Sequence, residues 1–362
     1  MQQDSFPILG VDHVHFWVNN ARQSAFFYHS LFGFDISGYR GLETGSRDEV
    51  SFLLTQKDLN FVFTAPIRPG SVMAPLIADH GDFVRDIAFK VEDVEWSYNA
   101  AVERGAKSAL PPTVYEDEHG KVIKASIHTY GDVLHSFVDR TGYHGLWEPS
   151  FEPRSVKGDS LGLIEVDHCV GNVELGRMNE WVAWYQKVLG FDLFISFDDK
   201  DISTEYTALM SKVMASGNQK IKFPINEPAQ GRKKSQIDEF LEFFGGAGAQ
   251  HVALRTDDII HTVSRLRQRG IDFLYVPQTY YDDLGERVGQ IDEDIKDLAK
   301  LGILVDRDED GYLLQIFTKP ITDRPTLFYE IIERKGAKSF GKGNFKALFE
   351  SIEREQEVRG TL

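Results

Sequence analysis

The chain has one cysteine, Cys169, in 362 residues. That rules out an intrachain disulfide, and a reducing, cytoplasmic compartment is expected. Positive charge is also scarce: 40 Lys and Arg stand against 56 Asp and Glu, a net charge of −16. Nucleic acid and anionic membranes are bound by clustered cations, so neither partner is expected. No apolar run approaches the roughly 18 residues needed to span a bilayer. Residues 1–10 lack the basic start and apolar stretch of a secretory signal.

Apolar material is plentiful. Hydrophobic residues make up 42% of the chain, and 26 of them are Phe. That is enough for large cores and hints at aromatic-lined interiors. At about 100–200 residues per domain, the length predicts two or three domains.

An internal repeat narrows this to two copies, 1–153 and 160–362. Ile8-Leu9-Gly10-Val11-Asp12-His13 matches Leu163-Ile164-Glu165-Val166-Asp167-His168. Phe32-Gly33-Phe34-Asp35 matches Leu189-Gly190-Phe191-Asp192. Asp86 to Lys90 matches His251 to Arg255, Arg104-Gly105 matches Arg269-Gly270, and Gly131 to Phe137 matches Gly311 to Phe317. The order is kept while the offset grows, so the second copy carries insertions.

Each copy reads as a strand, a helix and further strands. The stretch 11–18 reads as a half-buried strand and 21–31 as a helix stopped by Gly33. Trp181, Trp184, Tyr185, Val188 and Leu189 form one helix face, with Gly190 after it. Residues 94–104 and 258–269 read as a second matching helix, and 148–158 as the linker. Two segments occur only in the second copy. In the acidic stretch 280–310, Val288, Ile291, Ile295 and Leu298 predict an inserted amphipathic helix. After Gly343, the spacing of Phe345, Leu348, Phe349 and Ile352 predicts a C-terminal helix. Its glycine-rich lead suits either a mobile lid or a permanently docked helix.

The second copy places His168, His251 and Glu330 in apolar, strand-like runs. A carboxylate is costly to bury there unless it is paired or metal-bound. Two imidazoles and one carboxylate with open positions form the ligand set of non-haem Fe(II) oxygenases. Strand alternation turns Cys169 away from that face and puts His15 on the face of His13. The first copy has His13, but Asp86 in place of His251, with Glu148 as its carboxylate. It reads as a degenerate, metal-free copy serving packing or subunit contact; weak ion binding by His13, Asp86 and Glu148 is the alternative.

The duplicated module resembles the vicinal oxygen chelate superfamily, and the second copy is similar to the 4-hydroxyphenylpyruvate dioxygenase family. The stretches that carry the likeness are Asp167 to Asn172, Phe223 to Pro228, Lys234-Ser235-Gln236, Gly246 to His251, Leu314 to Pro320, Arg324 to Ile332 and Phe340 to Phe345. They cover nearly all of 160–355 in order. The resemblance implies an α+β fold of duplicated βαβββ modules, in two open barrel-like domains closed by a C-terminal lid helix. It implies Fe(II) on His168, His251 and Glu330. It implies polar pocket residues Ser211, Asn226, Gln236, Gln250 and Gln315. Pro224, Phe317, Phe328, Asn344, Phe345 and Leu348 would form the substrate wall, with Phe328 and Phe345 sandwiching an aromatic ring. The implied reaction converts 4-hydroxyphenylpyruvate and O2 to homogentisate and CO2 in tyrosine breakdown, in a homo-oligomer of two or four copies. Alternatives are a 4-hydroxymandelate synthase acting on the same substrate, an extradiol catechol dioxygenase, and a non-enzymatic binding member of the superfamily.

Overall fold

In the computed structural model, residues 6–198, 204, 206–229 and 231–362 are described. The N-terminal half runs β1 (Ile8–Trp17), α1 (Ala21–Phe32), β2 (Asp35–Arg40), β3 (Glu49–Gln56), β4 (Leu59–Pro66), α2 (Met73–His80), β5 (Phe83–Val91), α3 (Val94–Glu103), β6 (Ser108–Asp117), β7 (Gly120–His128), β8 (Leu134–Asp139) and β9 (Glu152–Val156). The C-terminal half continues with β10 (Leu163–Asn172), α4 (Met178–Leu189), β11 (Asp192–Phe197), β12 (Leu209–Ala215), β13 (Lys222–Pro228), α5 (Gln236–Phe244), β14 (Gly248–Thr256), α6 (Ile259–Gln268), α7 (Leu284–Val288), α8 (Ile295–Leu301), β15 (Leu304–Arg307), β16 (Tyr312–Phe317), β17 (Phe328–Lys335) and α9 (Phe345–Arg359).

Local chemistry repeats with the sequence. Asn20 caps α1 by accepting from the Gln23 N–H, and Gly33 ends it in the left-handed region at φ 77°. Gly190 ends α4 the same way at φ 63°, its N–H bonded to the Tyr185 carbonyl. A side chain at either position would strain the turn.

The sheets repeat as well. Their orders are β6-β7-β8-β5-β1-β4-β3-β2-β9 and β11-β12-β13-β10-β14-β17-β16-β15. Each half is thus two βαβββ modules joined through antiparallel central strands, β1 with β5 and β10 with β14. This order equates β8 with β17 and β7 with β16. The sequence match of 131–137 to 311–317 therefore joins non-equivalent strands, because insertions in the second half had shifted the offset.

Two other expectations change. The linker 148–158 is not merely a connection: β9 within it pairs antiparallel with β2 and extends the first sheet. The inserted helix is two short helices, α7 and α8, because Gly289 at φ 70° breaks the run after Val288. The C-terminal helix forms as predicted.

The phenylalanines divide between two places. Phe16, Phe61, Phe63 and Phe32 pack with Tyr28 and Tyr329 in the shared core, where Phe16 and Phe63 stack at 4.8 Å. The Tyr28 and Tyr329 hydroxyls meet at 2.8 Å and tie the two halves together. A second group of Phe lines the cavity described next.

Candidate active site

Three adjacent strands carry the ligand candidates. His168 on β10 sits opposite Ala253 on β14, and Ala253 sits beside Glu330 on β17. His251 lies two residues before Ala253, so it shares that face. The small Ala253 side chain leaves the space between the three open. His168 Nε2 is 3.0 Å and His251 Nε2 3.4 Å from Glu330 Oε2. One donor atom from each residue lies within 4.8 Å of the others, and all three side chains are buried. Two imidazoles and a carboxylate converging this closely fit a divalent metal of the Fe(II) type.

The electrostatics agree. Burial works against a charge on Glu330, but His168 and then His251 outweigh it and hold its carboxyl at about 2. Burial likewise opposes protonation of His168, but Glu330 and Asp167 reverse the outcome and raise it. For His251, burial prevails and lowers it. Without a metal, the pairing thus favours a proton on His168 beside an ionised Glu330.

A metal must displace that imidazolium proton. Apparent metal affinity should therefore climb about tenfold per pH unit while His168 is protonated. It should level off above the raised pKa, which lies higher than the ordinary histidine value. Calorimetric titration in buffers of different ionisation enthalpy measures this as release of one proton. Affinity that is flat with pH would contradict the pairing.

Two residues orient the imidazoles. The β10–β14 ladder skips a residue at Asp167, which bulges out between the rungs of Val166 and His168. The bulge returns its carboxylate to His168 Nδ1 at 2.7 Å. Arg334 then donates to both Asp167 oxygens, at 2.6 and 2.8 Å. On the facing strand, Gln250 is skipped between the rungs of Ala249 and His251, and its Oε1 reaches His251 Nδ1 at 3.1 Å. With both Nδ1 atoms engaged, both Nε2 atoms face Glu330. We predict that Asp167→Asn weakens divalent-metal binding by about 10–100-fold, measured by equilibrium dialysis. Unchanged affinity would show that the carboxylate does not matter to the ligand.

The cavity over this centre collects most of the residues expected from the sequence. Ser211, Pro224, Asn226, Gln236, Gln250, Phe317, Phe328, Phe345 and Leu348 line it together with His168, His251 and Glu330. Register explains the grouping: Ser211 faces Asn226 and Val213 faces Pro224 across β12 and β13, so all four share one side. No Lys or Arg is among the described lining residues.

Gln315 and Asn344 are not in the lining. Gln315 is buried against the backbone of Gly341, where a Cβ would come within 2.5 Å of its Nε2. Asn344 Oδ1 accepts from the Tyr280 hydroxyl at 2.6 Å, at the turn that launches α9. Phe328 stacks on the His251 ring at 4.7 Å, so one of its faces is already covered. Phe345 sits edge-on to Phe197 at 4.9 Å. Phe340, whose ring contacts His168 at 4.9 Å, Phe349 and Ile352 also line the cavity, and no motif in the sequence marks them for it. Asp167 was visible as the Asp-His pair repeated in both copies.

The Glyoxalase/Bleomycin resistance protein/Dioxygenase superfamily profile matches residues 10–144 and 165–316. The 4-hydroxyphenylpyruvate dioxygenase of Yarrowia lipolytica is 47% identical, over 98% of this chain and 93% of that protein. The dioxygenase of the same name from Dictyostelium discoideum is 48% identical, over 98% of this chain and 100% of its own length. This chain belongs to the 4-hydroxyphenylpyruvate dioxygenase family. Among solved structures, a mutant of 4-hydroxymandelate synthase from Streptomyces coelicolor superposes with a TM-score of 0.87 at 31% identity, covering 97% of this chain and 99% of that one. As a member of the dioxygenase family, the chain is an enzyme built on duplicated superfamily modules. Among its described residues, no helix is long and apolar enough to cross a membrane.

Proposed function

We propose that the C-terminal half binds Fe(II) through His168, His251 and Glu330 and converts 4-hydroxyphenylpyruvate and O2 to homogentisate and CO2. One observation carries the reading: a two-histidine, one-carboxylate centre opens onto a cavity whose described lining is apolar and uncharged polar side chains with no cation among them. A 2-oxo acid brings its own negative charge, and with no cation among the described lining residues the metal is the group that receives it. Iron held by His168, His251 and Glu330 would supply chelation of the carboxylate and keto oxygens and the electrons for O2 reduction.

The chain's own residues do the rest. Phe317, Phe328, Phe345 and Leu348 desolvate the aromatic ring, while Pro224 shapes the wall. Ser211, Asn226, Gln236 and Gln250 offer hydrogen bonds to the phenol and keto groups without adding charge. Gln315 and Asn344 support this wall from behind, through Gly341 and Tyr280. Closure by α9 keeps water from the reacting groups. One oxygen atom ends in the new carboxylate and the other on the ring, next to the migrated side chain. The N-terminal half provides packing and subunit contact in an assembly of two or four copies, in the cytoplasm.

Reconstitution of metal-free protein tests the choice of ion. Fe(II) should restore oxygen consumption with 4-hydroxyphenylpyruvate, and redox-inert Zn(II) should not. Equal activity with Zn(II) would contradict an oxygen-reducing iron site. The similarity to 4-hydroxymandelate synthase favours one second reading, hydroxylation of the benzylic carbon of the same substrate.

A further inference from the structure

The duplication sets a second cluster of donors in the N-terminal half. His13 is opposite Ala88 as His168 is opposite Ala253, and Asp86 is opposite His15 as His251 is opposite Val170. Asp86 is also beside Leu134 as His251 is beside Phe328, which puts Ser136 in step with Glu330. Glu148 is therefore not the counterpart of Glu330; its carboxylate pairs with Arg40 at 3.1 Å. This half has no carboxylate at the Glu330 position, and brings instead an imidazole, His15, from the position of Val170.

One donor atom each from His13, His15 and Asp86 lies within 4.8 Å of the others, as in the catalytic half. The His13 and His15 rings are 6.2 Å apart, against 5.9 Å for His168 and His251. The orienting contacts are duplicated too. Asp12 is the skipped residue in β1, and its Oδ2 meets His13 Nδ1 at 2.6 Å. Arg140 holds Asp12 as Arg334 holds Asp167. Thr64 Oγ1 lies 2.7 Å from His15 Nε2, and the Ser136 N–H and hydroxyl both donate to Asp86. Each of the three donors on the two central strands is thus fixed by a hydrogen bond with a neighbour. Three cations act on the cluster: the partly exposed Lys124 ammonium, 3.5 Å from Asp86 Oδ2, and the Arg40 and Arg85 guanidiniums, which act on His15.

We propose that His13, His15 and Asp86 form a second divalent-metal site, suited to a nitrogen-preferring ion such as Zn(II) or Co(II), with Lys124 as its competing cation. This departs from the metal-free expectation for this half. The ion clamps β1 to β5 at the middle of the first sheet. Its role is structural, because neither His15 nor Asp86 lines a described cavity.

Metal content of the full chain after equilibrium dialysis against Zn(II) tests this. The unmodified protein should retain two equivalents. His15→Gln and Asp86→Asn should each retain one and keep iron-dependent oxygen consumption. His251→Ala should also retain one, now in the N-terminal half. Lys124→Met should tighten the second equivalent about tenfold or more, since a like charge beside the ion is removed. Co(II) in the second site should quench Trp147, whose ring lies edge-on to His13 at 5.3 Å, and Trp147→Phe should remove that quench. A single equivalent in the unmodified chain would overturn the proposal. So would a second equivalent that appears only in Lys124→Met, or one that survives both His15→Gln and Asp86→Asn.

Discussion

Glu330→Ala loses essentially all turnover and keeps its fold. The carboxylate is the only anionic group among the three ligand candidates, and it lies within 3.4 Å of both imidazoles. Without it the ion is held by two neutral donors. Metal ions supply several kcal/mol of charge stabilisation in reactions of this kind, which at 1.4 kcal/mol per tenfold is a loss of about 10³-fold or more. The fold persists for a reason specific to this pair. Removing one partner of a buried ion pair costs about 3–5 kcal/mol when the other charge stays behind. His168 lessens that cost by giving up its proton more readily, since Glu330 is the larger of the two groups that raise it, the other being Asp167. Tyr329, Ile331 and Ile332, which anchor β17, remain buried. Circular dichroism should thus be native while iron content and oxygen uptake collapse together. Full activity with normal iron content would remove Glu330 from the centre.

Truncation after Gly343 separates activity from stability. α9 brings Phe345, Leu348, Phe349 and Ile352 to the cavity wall. Its polar contacts hold it down: Arg359 makes three hydrogen bonds to Glu239, Lys319 pairs with Glu355 at 2.8 Å, and Ser351 bonds the Tyr275 carbonyl. In the structure the helix is docked, with Glu239 and Ser351 buried and Arg359 and Lys319 partly exposed. Phe349 and Ile352 belong to small satellite clusters and not to the main core shared by the halves. Deleting the helix opens the cavity to water and frees the bound ring, a loss of about 10²-fold or more in kcat/KM. The melting temperature should fall by only a few degrees, since about 1 kcal/mol shifts it by roughly 2–4 °C at this domain size. Collapse of the whole fold would instead make α9 a fixed structural helix.

The catalytic centre was legible because its elements are long and periodic. The α4 face from Trp181 to Leu189, the repeated Asp-His pair and the apolar runs around His251 and Glu330 all stand in the sequence. What escaped notice depends on pairing between distant strands. A bulge cannot be read from one strand, so the return of Asp167 and Gln250 toward the imidazoles stayed hidden. Glu148 was taken as the counterpart of Glu330 because chain order suggested it, whereas the ladders put Ser136 there. The split of the inserted helix at Gly289 could have been read from that glycine. The pairing of 152–156 with β2 could not, since every residue of that strand is exposed and polar signals dominate it.

Gln250 illustrates how one residue answers two demands. Its side chain lines the cavity and also holds His251 Nδ1. Cavity lining and imidazole orientation thus meet in one amide, and a change there is expected to move substrate affinity and metal retention together.

The central claim is that the C-terminal iron centre turns 4-hydroxyphenylpyruvate into homogentisate. The most direct test is to follow oxygen uptake by the iron-loaded protein with that substrate and to identify the aromatic product by chromatography against both standards. Homogentisate formed in step with the oxygen consumed, and lost in His251→Ala, is the predicted result. 4-Hydroxymandelate as the product, or no oxygen consumption by the iron-loaded chain, would contradict it.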